Sequence, residues 1–111
     1  MRKKILIISR DENTSGPLKL KFKRDYIVEI TDDCSNACNE YHAVIVDLSN
    51  LETEEERERL FSIPGKIDVK TIALIYRGEK EDIERAEENK FGMIIRLPDF
   101  DFKKISEYLL K

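Results

Sequence analysis

Five short runs of β-forming residues, set at intervals along 111 residues, constrain the fold more than any other feature of the sequence. They are Lys4-Ile-Leu-Ile-Ile8, Tyr26-Ile-Val-Glu-Ile30, Ala43-Val-Ile-Val46, Thr71-Ile-Ala-Leu-Ile75 and Met93-Ile-Ile95. A strand that faces water on one side alternates apolar and polar residues. Runs this continuous belong to strands covered on both faces, as in a parallel sheet flanked by helices. With 41% hydrophobic residues the chain can fill one such core, and its length suits a single domain spanning residues 1–111.

The connections carry helix signals of unequal strength. Thr53-Glu-Glu-Glu56 reads as a capping box, with a hydroxyl for the amide three residues on and a carboxylate reaching back. The helix it opens carries Leu60 and Phe61 and closes at Pro64-Gly65. Residues 80–90 set Ile83 and Ala86 one turn apart beneath a charged face. Asp101 caps a last helix in which Phe102, Ile105 and Leu109 recur at helical spacing. The first two connections are shorter. Leu18-Lys-Leu-Lys-Phe22 alternates like a strand, although Pro17 suits a first helical position and Leu18 and Phe22 share a helical face. Residues 32–40 leave room for about two turns, and their Asp, Ser and Asn content favours caps over helix interior. The expected architecture is α/β: a five-stranded, doubly wound parallel sheet in three layers, with the first two helices shortened.

Charge and composition exclude several function classes. Charged residues make up 39% of the chain, against roughly 25% in an ordinary domain, a density that hints at a thermophile. The 20 basic and 23 acidic residues leave a net charge of −3, which argues against nucleic acid as a partner. The basic cluster Lys19, Lys21, Lys23 and Arg24 is local and suits an acidic protein surface better than DNA. No apolar run approaches a membrane span or an export signal. The two cysteines then fit a reduced, cytoplasmic setting. Cys34, Cys38 and His42 are spaced by four, but His42 falls at the start of a strand and off any common helical stripe. The cysteine pair therefore reads as core-facing. There is no glycine-rich phosphate loop, and the single histidine leaves no nucleophile–base arrangement. The chain is not expected to be an enzyme.

The order of elements resembles the receiver domain of two-component response regulators, a CheY-like, flavodoxin-like fold with strand order 2-1-3-4-5. Val69 to Gly78 followed by Glu81 to Ala86 resembles a receiver's fourth strand, loop and fourth helix. Ile94-Ile-Arg-Leu-Pro98 resembles its fifth strand and proline, and Ala43 to Ser49 its third strand, ending in an acceptor aspartate at Asp47. A working receiver transfers a phosphoryl group to that aspartate with a divalent cation, held by the acceptor and an acidic pair ending the first strand. Here the acidic pair is Ser9 and Arg10. The hydroxyl residue of the fourth strand is Ile75, the lysine before the proline is Leu97 with Arg96 one place early, and the aromatic switch is Ile94. The resemblance thus implies a pseudo-receiver that has lost magnesium-dependent phosphorylation, with Arg10 as a built-in counter-charge for Asp47 and no cofactor.

Such a protein acts by binding other proteins. In the family the fourth helix, fifth strand and fifth helix form the docking or homodimer face, which maps to residues 80–111 and offers Phe100, Tyr108 and Leu110 as anchors. Two alternatives stand beside this reading. One is a working, magnesium-dependent response regulator using Asp47 with displaced acids at Asp11 or Glu12. The other is an anti-sigma-factor-antagonist (STAS) domain, which Val44 to Asn50 also resembles and whose sheet is mixed rather than parallel.

Overall fold

A computed structural model of the chain describes residues 2–49, 51–76 and 79–111. Arg77 and Gly78, which end the fourth-strand motif, and Asn50, which ends the STAS-like one, lie outside the described residues. Five strands, β1 (Lys4–Ile8), β2 (Ile27–Thr31), β3 (Ala43–Asp47), β4 (Lys70–Tyr76) and β5 (Met93–Leu97), form one sheet in the order β2-β1-β3-β4-β5. Every neighbouring pair is parallel. This is the doubly wound, flavodoxin-like order that the receiver resemblance implied, and the parallel pairing is the one expected from the apolar runs. A parallel sheet throughout also removes the STAS alternative, because that family's sheet is mixed.

Among the described residues four α-helices form: α1 (Glu12–Phe22), α2 (Glu54–Phe61), α3 (Lys80–Glu88) and α4 (Phe102–Leu110). Side chains at successive strand positions point to opposite faces, and the core divides accordingly. Ile5, Ile7, Ile45, Ile72 and Leu74 meet Leu18 and Phe22 of α1 and Ile105 and Leu109 of α4. Leu6, Ile8, Val44, Val46 and Ala73 meet Leu60 and Phe61 of α2 and Ala86 of α3. The three central strands are thus covered on both sides, which is why their sequence shows no alternation.

The connections expected to be short depart from expectation in different ways. Helix α1 starts earlier than Pro17 suggests. Asp11 caps it, with Oδ1 accepting the Asn13 N–H at 2.9 Å, and Pro17 lies inside the helix. A cap that satisfies a free amide outweighs the preference of proline for the first turn. The Leu-Lys alternation of residues 18–22 is therefore helical, with Leu18 and Phe22 buried and Leu20 exposed. The second connection forms only a 3₁₀ turn, Cys34–Asn36, capped by Asp33. Cys34 packs against the α2/α3 side of the core, and both cysteines are half-buried rather than enclosed. His42 belongs elsewhere: it stacks on Tyr26 and its Nε2 meets the Leu109 carbonyl of α4.

Candidate functional site

The carboxyl ends of β1 and β3 lie side by side at the centre of the sheet, where ligand crevices in doubly wound folds occur. Asp47, the last residue of β3, is 5% exposed and uses both carboxylate oxygens. Its Oδ1 accepts the Ser49 backbone N–H at 2.9 Å, capping the turn that follows the strand. Its Oδ2 accepts the Ser9 hydroxyl at 2.8 Å. Ser9, 8% exposed, is also fixed from behind, since its Oγ accepts the Asp11 N–H at 3.1 Å. A hydroxyl carries a single proton, and the short contact to the charged oxygen takes it in preference to the Asp11 carbonyl at 3.3 Å.

Arg10 does not serve as the counter-charge of Asp47. Its guanidinium turns across the cleft to Glu56 of α2, with Nη2 2.9 Å from Oε2. The partner is explained by the way α2 begins. Thr53 Oγ1 accepts the Glu56 N–H at 3.1 Å, so half of the capping box forms. The Glu56 carboxylate does not complete it, but pairs with Arg10 through Oε2 while Oε1 is buried without a partner.

Around this pair opens a cleft of about 640 Å³, lined by Ile8, Ser9, Arg10 and Asp11 from β1 and the α1 cap, Asp32, Asp33 and Cys34 after β2, Asp47 and Ser49, and residues of α2 and the segment before it. The reduced second connection forms part of its wall. Asp33 is held below the usual carboxylate range, first by the Ser35 backbone N–H. Ser9, Arg10, Asp11 and Asp47 are thus brought together as the sequence suggested. Glu12 faces solvent on α1 and does not line the cleft. Ile75 and Leu97 lie in the two halves of the core at 1% and 4% exposure and line no part of it. Sequence reasoning missed Glu56, whose spacing from Thr53 was fully used by the capping box, and Ser49, a serine in a turn with no distinguishing neighbours. Phe100 and Tyr108 are half-buried against the core, while Leu110 is 81% exposed.

Neither a protein-family model nor a curated protein matches the sequence. Solved structures match over nearly the whole chain. The receiver domain of the TMAO respiratory system response regulator TorR superposes with a TM-score of 0.78 at 16% identity, covering 97% of this chain and 93% of that one. The receiver domain of the sensor histidine kinase PA1611 from Pseudomonas aeruginosa, with a magnesium ion coordinated in its active-site cleft, gives 0.73 at 15% identity, with 98% and 95% covered. The chain has the receiver fold. An adenylate cyclase from Rhodopirellula baltica shares it as well, at a TM-score of 0.70 and 14% identity over 99% of this chain and 86% of that one.

The receiver fold implies a hard dication at this cleft, and the residues present do not suit one. Such an ion takes several oxygen ligands, carboxylates foremost. Here Ser9 and Arg10, which follow β1, supply no carboxylate, Asp11 caps α1 with one of its oxygens, and Glu56 is paired with a guanidinium. Among the described residues, no group of three His, Cys, Asp or Glu side chains is placed to hold a metal ion. Nor is any helix among them long and apolar enough to cross a membrane.

Proposed function

We propose that this chain is a signalling domain of the receiver fold in which the acceptor carboxylate is held by neighbouring serines and lacks a cation site, so that it acts by protein contact and not by phosphoryl transfer. One observation carries the reading: both oxygens of Asp47 are already engaged, by the Ser9 hydroxyl and the Ser49 amide, in a buried position. Attack on a phosphodonor requires a free carboxylate oxygen and a cation to offset the charge that gathers between acceptor and donor. The Ser9 bond draws electron density from Oδ2 and takes one of its lone pairs, and the Arg10–Glu56 pair takes the place of a cation ligand set. The domain is not an enzyme on this reading, and it needs no cofactor. Its whole described length is one functional unit. The surface formed by residues 80–111 offers Leu110 for contact with a partner.

The test is incubation with acetyl phosphate or phosphoramidate and magnesium, followed by intact-mass measurement. No mass gain is expected. A gain of one phosphoryl group that vanishes in Asp47→Asn would overturn the reading in favour of a working response regulator.

A further inference from the structure

Strand β2 is the outer strand of the sheet next to β1. Its backbone faces alternate. The Ile27 N–H donates to the Lys3 carbonyl, and the Thr31 carbonyl accepts the Ser9 N–H, so Ile27, Glu29 and Thr31 direct their polar groups at β1. Val28 and Ile30 therefore direct theirs outward, and no described residue meets them. The same two residues and Tyr26 share one face of the strand. Tyr26 and Val28 are half-buried against the α1 core, and Ile30 is 41% exposed. An outer strand that combines free amides with exposed β-branched residues is a template for pairing with another chain.

We propose that β2 pairs antiparallel with β2 of a second copy, making one continuous sheet across a two-fold axis. This rests on the reading that the chain works through protein contacts, and it names the partner for one surface. Antiparallel pairs alternate between hydrogen-bonded and non-hydrogen-bonded residues, so a two-fold axis passes only through a residue opposite its own copy. Of the five centres that β2 offers, Ile30 and Thr31 set Val28 or Ile30 against the Asp32 carboxylate, and three registers remain, centred on Ile27, Val28 or Glu29. Centring on Glu29 sets Glu29 against Glu29 and Asp25 against Asp33, like charges that repel. Centring on Ile27 sets Ile30 against Arg24.

The Val28 register has neither fault. Its outward-facing Val28 pairs with itself, and Ile30 lies opposite Tyr26. The Lys23–Arg24 turn entering the strand meets the Asp32–Asp33 step leaving it, once on each side of the axis. All four of these charged residues are exposed. The chain as a whole carries a slight acidic excess, yet the two ends of this strand carry opposite signs, which suits a self-complementary contact and not a generic acidic or basic partner.

The test uses charge exchange at surface positions that do not contribute to the core. Sedimentation equilibrium over a range of protein concentrations is expected to show a monomer–dimer equilibrium. Arg24→Asp and Asp32→Arg are each expected to weaken it by about tenfold, because each turns two attractions into two repulsions. The double exchange is expected to restore the affinity of the unaltered chain. Amide hydrogen exchange at Val28 and Ile30 should slow as concentration rises. A monomer at every concentration, or a dimer that ignores both exchanges and dissociates with Leu110→Asp, would overturn the proposal. Neither result bears on Asp47, which the phosphodonor experiment tests separately.

Discussion

At the scale of single residues, the proposed loss of phosphoryl transfer turns on one hydroxyl. Ser9 gives Asp47 a neutral donor. Ser9→Ala leaves a buried carboxylate oxygen unsatisfied and is expected to cost about 1–3 kcal/mol of stability, read by urea unfolding. Ser9→Asp sets a second carboxylate within hydrogen-bonding distance of the first. Two such groups resist simultaneous ionisation, so this variant should melt at lower temperature than the unaltered chain at neutral pH. Acidification or added magnesium should recover part of the loss, while magnesium leaves the unaltered chain unmoved. A second residue makes a pH-dependent prediction. The Tyr41 hydroxyl donates to Glu29 Oε1 at 2.6 Å. That bond, reinforced by burial, pushes the phenol from 10.0 up to about 12. Because the folded-state value is raised, its stabilisation is complete below pH 10 and is lost as pH climbs through about 12. Tyr41→Phe should therefore cost about 1 kcal/mol at neutral pH, and the gap between the two proteins should close in strongly alkaline solution.

At the scale of elements, α2 and α3 are joined by a mixed apolar and ionic contact. Phe61 is buried at the end of α2, with the guanidinium of Arg57 5.5 Å and that of Arg85 4.7 Å from its ring centre. Arg57 pairs with Asp82 of α3 and lies 3.8 Å from Glu54, and Arg85 reaches Glu54 at 3.0 Å. The mixed charges of residues 54–59 thus serve in part to dock one helix on the next. Arg57 is partly exposed, so solvent screens its contribution. Arg57→Leu keeps apolar cover over Phe61 but strands Asp82, and it is expected to cost about 1 kcal/mol. The loss should shrink as salt is raised and the pair is screened. Phe61→Ala, which opens a cavity, should cost about 3–5 kcal/mol regardless of salt. Chemical denaturation at two ionic strengths separates the two effects.

At the scale of the whole molecule, the sheet is graded from centre to rim. Strands β1, β3 and β4 are enclosed by helices on both faces and are almost entirely buried. Strand β2 has exposed or half-buried residues throughout. Backbone amides open locally where few apolar contacts hold them and only globally where many do. Native-state hydrogen exchange at low protein concentration should therefore find Ile7, Ile45 and Leu74 exchanging with the free energy of global unfolding. The outward amides of Val28 and Ile30 should exchange far earlier.

What the residues alone determined is the sheet and most of the helices. Burial on both faces leaves an unbroken apolar run, and Thr53 and Asp101 mark helix starts by chemistry that acts within three residues: Thr53 Oγ1 and Asp101 Oδ1 accept the amides of Glu56 and Lys104. The receiver resemblance likewise brought Ser9, Arg10 and Asp47 to one place, because strand order dictates which strand ends adjoin. Tertiary structure decided what local signals could not carry. Pro17 suggested a helix start that the Asp11 cap overrode. Glu56, spent in the sequence on a capping box, was free to choose a partner 46 positions away. A long side chain's partner depends on which other elements fold against it, and a charge finds the nearest opposite charge in space. Only the packed fold could assign Arg10 to Glu56 and leave Asp47 to two serines.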